Sequence, residues 1–202
     1  MLTSQHHANE EHSRHREKSV DPIAITVAEV TPRVVQRTVA VVGSLYGQEE
    51  IVMNAVANIG IAVALEAAPD DPTRSGGLIV PVVRGVGDKG LEALAADIAD
   101  VSKRARGNKL RPDDVSDGTF TISNLGMFGV DRFTAIINPP NVAILAVGAA
   151  IQRPVVRDGQ VVPGWVMTMT MSSDHRIVDG AMAAQYLATV KGYLEKPAGL
   201  LV

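Results

Sequence analysis

In GWVMTMTMSS, apolar and polar positions follow a period of two: Val166, Thr168 and Thr170 face one way, Met167, Met169 and Met171 the other. That period is a strand with two unlike faces. VAILAVGAA, Val142 to Ala150, is almost wholly apolar, which predicts a strand covered on both faces. Between them, VVRDGQVV places Asp158-Gly159 at the tip of a turn.

A helical period appears twice. Leu91, Leu94, Ile98 and Val101 fall on one face of a helix. Asp88 stands where it can cap the start, Lys103, Arg104 and Arg106 fill the last turn, and Gly107 ends it. Near the C-terminus, Met182, Tyr186, Val190 and Tyr193 form a stripe with Leu187 and Leu194 alongside, and Pro197 stops that helix. NIGIAVAL reads as a buried strand, EAAPDDPTRSGG as a loop, and LIVPVVR as a second strand. Pro81 within LIVPVVR implies an edge or irregular pairing. GTFTISNL is a further strand that leads into the glycine-punctuated GMFG. The order of strands and helices argues for an α/β fold, a mixed sheet with helices packed on it.

Upstream the rhythm is different. Residues 1–22 hold almost no apolar side chains and read as a disordered polar tail. His6, His7, His12 and His15 lie there, without the fixed geometry that metal capture needs. Residues 23–57 are rich in Val, Ile and Thr and read as a short β-rich segment. Their phrase ITVAEVTPRVVQRTVAVVGSLYGQEEIV resembles the opening strands of periplasmic adaptor subunits of efflux pumps.

Composition narrows the chemistry. A net charge of −3 gives no reason to expect nucleic acid as a partner. Aromatic residues are only 3%, so the core is built from aliphatic side chains. The absence of cysteine removes disulfides and thiolate metal sites. No apolar run is long enough for a membrane span. The N-terminus lacks the basic-then-apolar order of a secretory signal, and the expectation is a cytoplasmic protein.

The remaining chemistry gathers in SSDHRIVDGA, Ser172 to Ala181, where the alternating strand meets the last helix. His175 is the one histidine after residue 15, and so the one body side chain that titrates near neutrality when unperturbed. It is either a proton-transfer group or an ordinary hydrogen-bonded histidine. Asp179 is a natural N-cap, Arg176 reads equally as a solvated charge, and no second histidine supports a metal site.

The phrases NIGIAVAL, GLIVPVVR, GTFTISNLGMFG, INPPNVAILAVGA and DHRIVDGA, in this order, closely resemble the catalytic domain of the dihydrolipoyl acyltransferases. These are the core subunits of 2-oxo acid dehydrogenase complexes, related in fold to chloramphenicol acetyltransferase. SNLGMFG with AILAVGA is most similar to the acetyl-transferring members of pyruvate dehydrogenase complexes. The resemblance implies acetyl transfer between dihydrolipoamide and coenzyme A as co-substrates. His175 matches the family's catalytic base, which takes the proton from a thiol that is only slightly ionised at neutral pH. Ser123 matches the hydroxyl that donates to the tetrahedral oxyanion. On spacing alone, Ser123 is a strand-end serine bonded to its own backbone. Asp179 matches the supporting carboxylate, and Asn124 and Arg176 are expected near the bound coenzyme A. The resemblance further implies a homotrimer with sites at the subunit interfaces, the histidine from one chain and the serine from its neighbour. Trimers then build a larger core.

The resemblance spans residues 58–202, read as the C-terminal part of the catalytic domain. The family's upstream helix and strands have no counterpart in residues 23–56. The lipoyl-bearing and partner-binding domains are likewise absent from the sequence, so the lipoyl group is expected in trans. The expectation is therefore a truncated or fused acyltransferase domain. The alternatives are a non-catalytic, core-forming fragment of the same family, and a fragment of an efflux adaptor.

Overall fold

The structure, a computed structural model, describes residues 43–46, 50–65 and 76–200. The polar tail, most of the adaptor-like phrase and residues 66–75 of the long loop lie outside the described residues. Within the 23–57 segment, β1 (Gly43–Tyr46) and β2 (Glu50–Met53) pair antiparallel.

The centre of the molecule is a five-stranded mixed sheet in the order β6-β3-β7-β8-β9. Its strands are β3 (Ile59–Ile61), β6 (Val82–Val83), β7 (Phe120–Asn124), β8 (Ala143–Arg157) and β9 (Gln160–Ser173). β3, β7 and β8 run parallel, and the outer strands β6 and β9 are antiparallel to their neighbours. The mixed sheet with packed helices expected from the sequence is the observed architecture.

NIGIAVAL is not one strand. It breaks at Ala62 into β3 and β4 (Val63–Ala64), which join different sheets. The break faces Pro81, which divides LIVPVVR into β5 (Leu78–Ile79), paired with β4, and β6, paired with β3. A proline has no N–H to give to a ladder, and Pro81 contributes only its carbonyl, which accepts from Ile61 N–H at 2.8 Å. β6 then forms the edge of the main sheet.

Helix α1 (Leu91–Arg106) packs against β4 and β6. Asp88 does not cap it: that residue sits in a preceding 3-10 turn, and the N-cap is Gly90, which offers no side chain. The basic last turn and Gly107 at the C-cap are as expected. The expected stripe is buried only at its C-terminal end, by Val101 and Ala105, while Leu91 and Ile98 remain exposed. Arg104 ties this end of the helix to the buried Asp114, which also accepts from Arg111 N–H at 2.8 Å. Together these donors hold the Asp114 carboxyl at about 2, the backbone bond from Arg111 contributing most.

On one face of the sheet, Phe120, Ala143 and Leu145 form the core, with Ile122, Val147, Met169 and Met171 around them. Helix α2 (Gly180–Glu195) covers this face with Tyr186 and Leu187, and the Tyr186 ring lies 5.6 Å from that of Phe120. Burial pushes the Tyr186 hydroxyl pKa up. The Met stripe foreseen on β9 is thus the inward one.

The opposite face carries Thr121, Ser123, Ile144 and Ala146, by strand alternation. The loop from Val130 to Pro140 crosses it, where Ser172 Oγ donates to the Ala135 carbonyl at 2.7 Å. The loop is seated by a β-bulge between Val147 and Ala150, where one extra residue turns Ala149 N–H outward to the Val130 carbonyl at 2.8 Å. Gly148 is required there, because a Cβ at this position would lie 2.0 Å from the Asp131 carbonyl oxygen. Beyond the bulge, β8 and β9 continue as a two-stranded arm to the turn at Asp158 and Gly159, both with positive φ.

Candidate active site

Three of the five expected site residues share one corner. β9 ends at Ser173, and Asp174 N–H donates to the Val142 carbonyl at 2.8 Å, so the chain stays attached to β8 for one residue more. It then turns: the Asp174 carbonyl accepts from Ile177 N–H at 3.0 Å and from Val178 N–H at 2.9 Å. Val178 is buried, and Asp179 is the N-cap of α2, its carboxylate accepting from Met182 N–H at 2.8 Å. His175 and Arg176 therefore project from a short bridge fixed at both ends, by the sheet and by the helix.

His175 is exposed and makes no hydrogen bond or ion pair among the described residues. Arg176 is committed: its Nε and Nη2 donate to the Asp174 carboxylate, the shortest contact being 2.6 Å. Arg176 N–H adds a fourth contact at 3.0 Å. These donors hold the Asp174 carboxyl at about 2, the guanidinium contributing most, and the same pairing raises the pKa of Arg176. Asp174 was not singled out from the sequence. The available signal was an acid and a base two residues apart, flanking the histidine in a turn.

Ser123 and Asn124 lie elsewhere, at the C-terminal end of β7. Asn124 Oδ1 accepts from Gly126 N–H at 2.8 Å and so starts the GMFG turn, leaving its Nδ2 without a partner among the described residues. Gly126 is a close approach: a Cβ would meet the Gly148 carbonyl oxygen at 2.8 Å. Ser123 Oγ makes no hydrogen bond among the described residues, so the local backbone bond that spacing alone suggested is not formed.

The ladder gives the distance between the two groups. Ser123 aligns with Ala146 and, across β8, with Thr170. Thr170 is two strands away, ~9.6 Å, and Ser173 is three residues further along, ~10 Å. Within one chain, the serine and the corner that carries the histidine are thus two strands and three residues apart, too far to act on the same atom.

Residues 2–202 match the family described as the 2-oxoacid dehydrogenases acyltransferase (catalytic domain), and the chain belongs to that family. The match begins well upstream of Asn58. Among relatives, the dihydrolipoyllysine-residue acetyltransferase component of the pyruvate dehydrogenase complex from Rhizobium meliloti is 44% identical over 154 residues. That alignment covers 76% of this chain and 32% of the relative, so the chain spans about a third of the length of the curated relative it matches. Among solved structures, the dihydrolipoamide acetyltransferase of Azotobacter vinelandii superimposes with a TM-score of 0.72 at 35% identity, over 84% of this chain and 66% of that one. In that enzyme, a serine, a histidine and an asparagine were investigated for their roles in catalysis. The cubic core of the pyruvate dehydrogenase multienzyme complex also gives 0.72, at 34% identity and the same coverage. Among the described residues, no helix is long and apolar enough to cross a membrane.

Proposed function

We propose that this chain transfers an acetyl group between dihydrolipoamide and coenzyme A, as catalytic domain of a pyruvate dehydrogenase complex, at sites shared between two copies of itself. The observation that carries the reading is a pair of side chains, His175 and Ser123, that make no hydrogen bond among the described residues and are held on rigid elements two strands apart in one sheet. Each is unspent among the described residues, and a second chain would complete it.

The chemistry follows from the two groups. The His175 imidazole takes the proton from the coenzyme A thiol as the sulfur attacks the thioester carbonyl of the acetylated lipoyl group, supplied in trans. The carbonyl becomes a tetrahedral oxyanion, which the Ser123 hydroxyl of a neighbouring copy stabilises by donation. The bond to the lipoyl sulfur then breaks, and the histidine returns its proton to that sulfur. Asp179 fixes the corner through its cap. Asn124 keeps an amide free to contact substrate, whereas Arg176 has two of its donors engaged.

The Azotobacter enzyme supports the assignment. Its serine, histidine and asparagine stand in the order and at the separations of Ser123, His175 and Asp179, with aspartate here in place of asparagine. The surface supports assembly. Met127, Phe128 and Ile136, in the turn and loop that follow Ser123, are 70%, 67% and 91% exposed. Apolar side chains this open suit a face that a second copy covers. A homotrimer, and from trimers a larger core, is a closed arrangement that gives every His175 a neighbouring Ser123.

The test is acetyl transfer from acetyl-coenzyme A to free dihydrolipoamide, the same reaction run in reverse, with oligomer mass measured by light scattering. The expected result is turnover by a trimer or larger species, reduced by ~10²–10⁴-fold in His175→Ala with circular dichroism and mass unchanged. A variant that kept more than about a tenth of the rate would remove the general-base assignment. A folded assembly without turnover would leave a core-forming, non-catalytic fragment.

A further inference from the structure

We propose that Arg176 and Asp174 are a paired positioning device for the His175 imidazole, with the guanidinium turned onto Asp174 rather than offered to coenzyme A. The inference rests on His175 acting as the base.

Asp174 is the pivot of the corner. Its N–H anchors the chain to Val142, its carbonyl closes the turn onto Ile177 and Val178, and its carboxylate receives Arg176 through the backbone N–H, Nε and Nη2. Residue 175 is the one residue inside that clasp. Linking residue 174 to both the backbone and the side chain of 176 fixes the local curvature, and with it the direction in which the His175 Cα–Cβ bond leaves the chain. The imidazole itself has no hydrogen bond to orient it among the described residues. Its placement therefore depends on the backbone beneath it and on its own rotamers.

The exposures indicate what the clasp is for. The Arg176 side chain is 62% exposed and that of Asp174 20%. An ion pair this open to water contributes little to global stability. Positioning is another matter, since a displacement of about 1 Å at a reacting group can cost ~10² in rate. A planar fork that engages both carboxylate oxygens resists rotation, which a lysine ammonium, a single point donor, does not.

The experiment compares Asp174→Asn, Arg176→Met, Arg176→Lys and the Asp174→Asn/Arg176→Met pair in the full chain, against His175→Ala. Each single variant is expected to lower kcat by ~10–10² while the KM for coenzyme A stays within about twofold. Arg176→Lys should fall nearly as far as Arg176→Met. The double variant should be no worse than the poorer single, because the two residues act as one device. Should the Arg176 variants instead raise the KM for coenzyme A at unchanged kcat, with Asp174→Asn silent, Arg176 is a substrate contact and the proposal fails. A second arm does not depend on turnover. In Asp174→Asn, backbone amide order parameters at residues 175–177 should drop from ~0.85 toward ~0.6. Unchanged values would overturn the proposal whatever the kinetics. Full activity in His175→Ala would instead overturn the base assignment and leave the clasp to be judged on the order parameters alone.

Discussion

The Asp179 carboxylate, four residues after His175, accepts the backbone N–H of Met182 at 2.8 Å and so begins helix α2. One side chain thus serves both the helix start and the corner that carries the histidine. Asp179→Ala should lower stability by ~0.5–2 kcal/mol through the lost cap and should also reduce turnover. For a chain of this size, that is a melting-temperature drop of a few degrees, roughly 2–4 °C per kcal/mol. Asp179→Asn should preserve both, since asparagine caps as well as aspartate and the asparagine studied in the Azotobacter enzyme likewise follows its histidine by four residues. Thermal melts and the acetyl-transfer assay read the two effects separately. An unchanged melting temperature in Asp179→Ala would remove the capping half.

Sites assembled from two chains have a signature that no single-chain site can imitate. Ser123→Ala and His175→Ala should each be inactive alone, yet regain activity when co-expressed. If the two variants mix at random in a ring, roughly a quarter of the sites pair an intact His175 with an intact Ser123. Co-purified mixed assemblies should therefore show about that fraction of wild-type turnover. No recovery in assemblies shown by mass to be mixed would place both groups in one chain's site, against the register of β7, β8 and β9.

Acid should act through Asp114. Its carboxyl is held at about 2, below the ordinary 3.8, so its stabilisation is full above about pH 4 and is lost as pH falls through 2. Asp174 shifts in the same direction, but its ion pair with Arg176 is open to water and adds little to this loss. The melting temperature should fall steeply between pH 4 and pH 2 in the wild type. In Asp114→Asn it should start lower at pH 7 and fall less across that window. Parallel curves for the two proteins would show that the Arg104–Asp114 link carries no proton-linked stability.

What the residues alone disclosed was whatever is decided locally. The period of two in β9, the apolar run of β8, the Asp158-Gly159 turn and the Asp179 cap each depend on a few neighbouring positions. The fracture of NIGIAVAL at Ala62 was hidden, because it depends on Pro81 in another segment brought alongside. The start of α1 was misplaced from Gly90 to Asp88 because capping side chains are the visible signal, and this helix starts on a residue that has none. At the candidate site, His175, Asp179 and Ser123 were singled out from their phrases, and the roles proposed for them rest on the experiments above. That Ser123 and His175 lie two strands apart follows from strand register, which pairs residues distant in sequence.

The two kinds of pairing in the sheet also set an order of assembly during folding. β8 and β9 meet through a two-residue turn, and such hairpins close in ~1–10 μs. β3 and β7 run parallel, and Asn58, at the head of β3, meets Thr119 across 61 residues of chain, a slow search. Zippering from Asp158-Gly159 reaches Ala143 and Ser173 last, and the tether from Asp174 to Val142 lies one step beyond them. The loop that carries His175 is thus the late-closing end of the early-forming unit, and it sets only when α2 docks on Phe120. Pulse-labelled amide exchange should find Val155 and Val162, a hydrogen-bonded pair next to the turn, protected before Asp174 and Val178. Simultaneous protection of all four would mean that arm and corner condense as one nucleus.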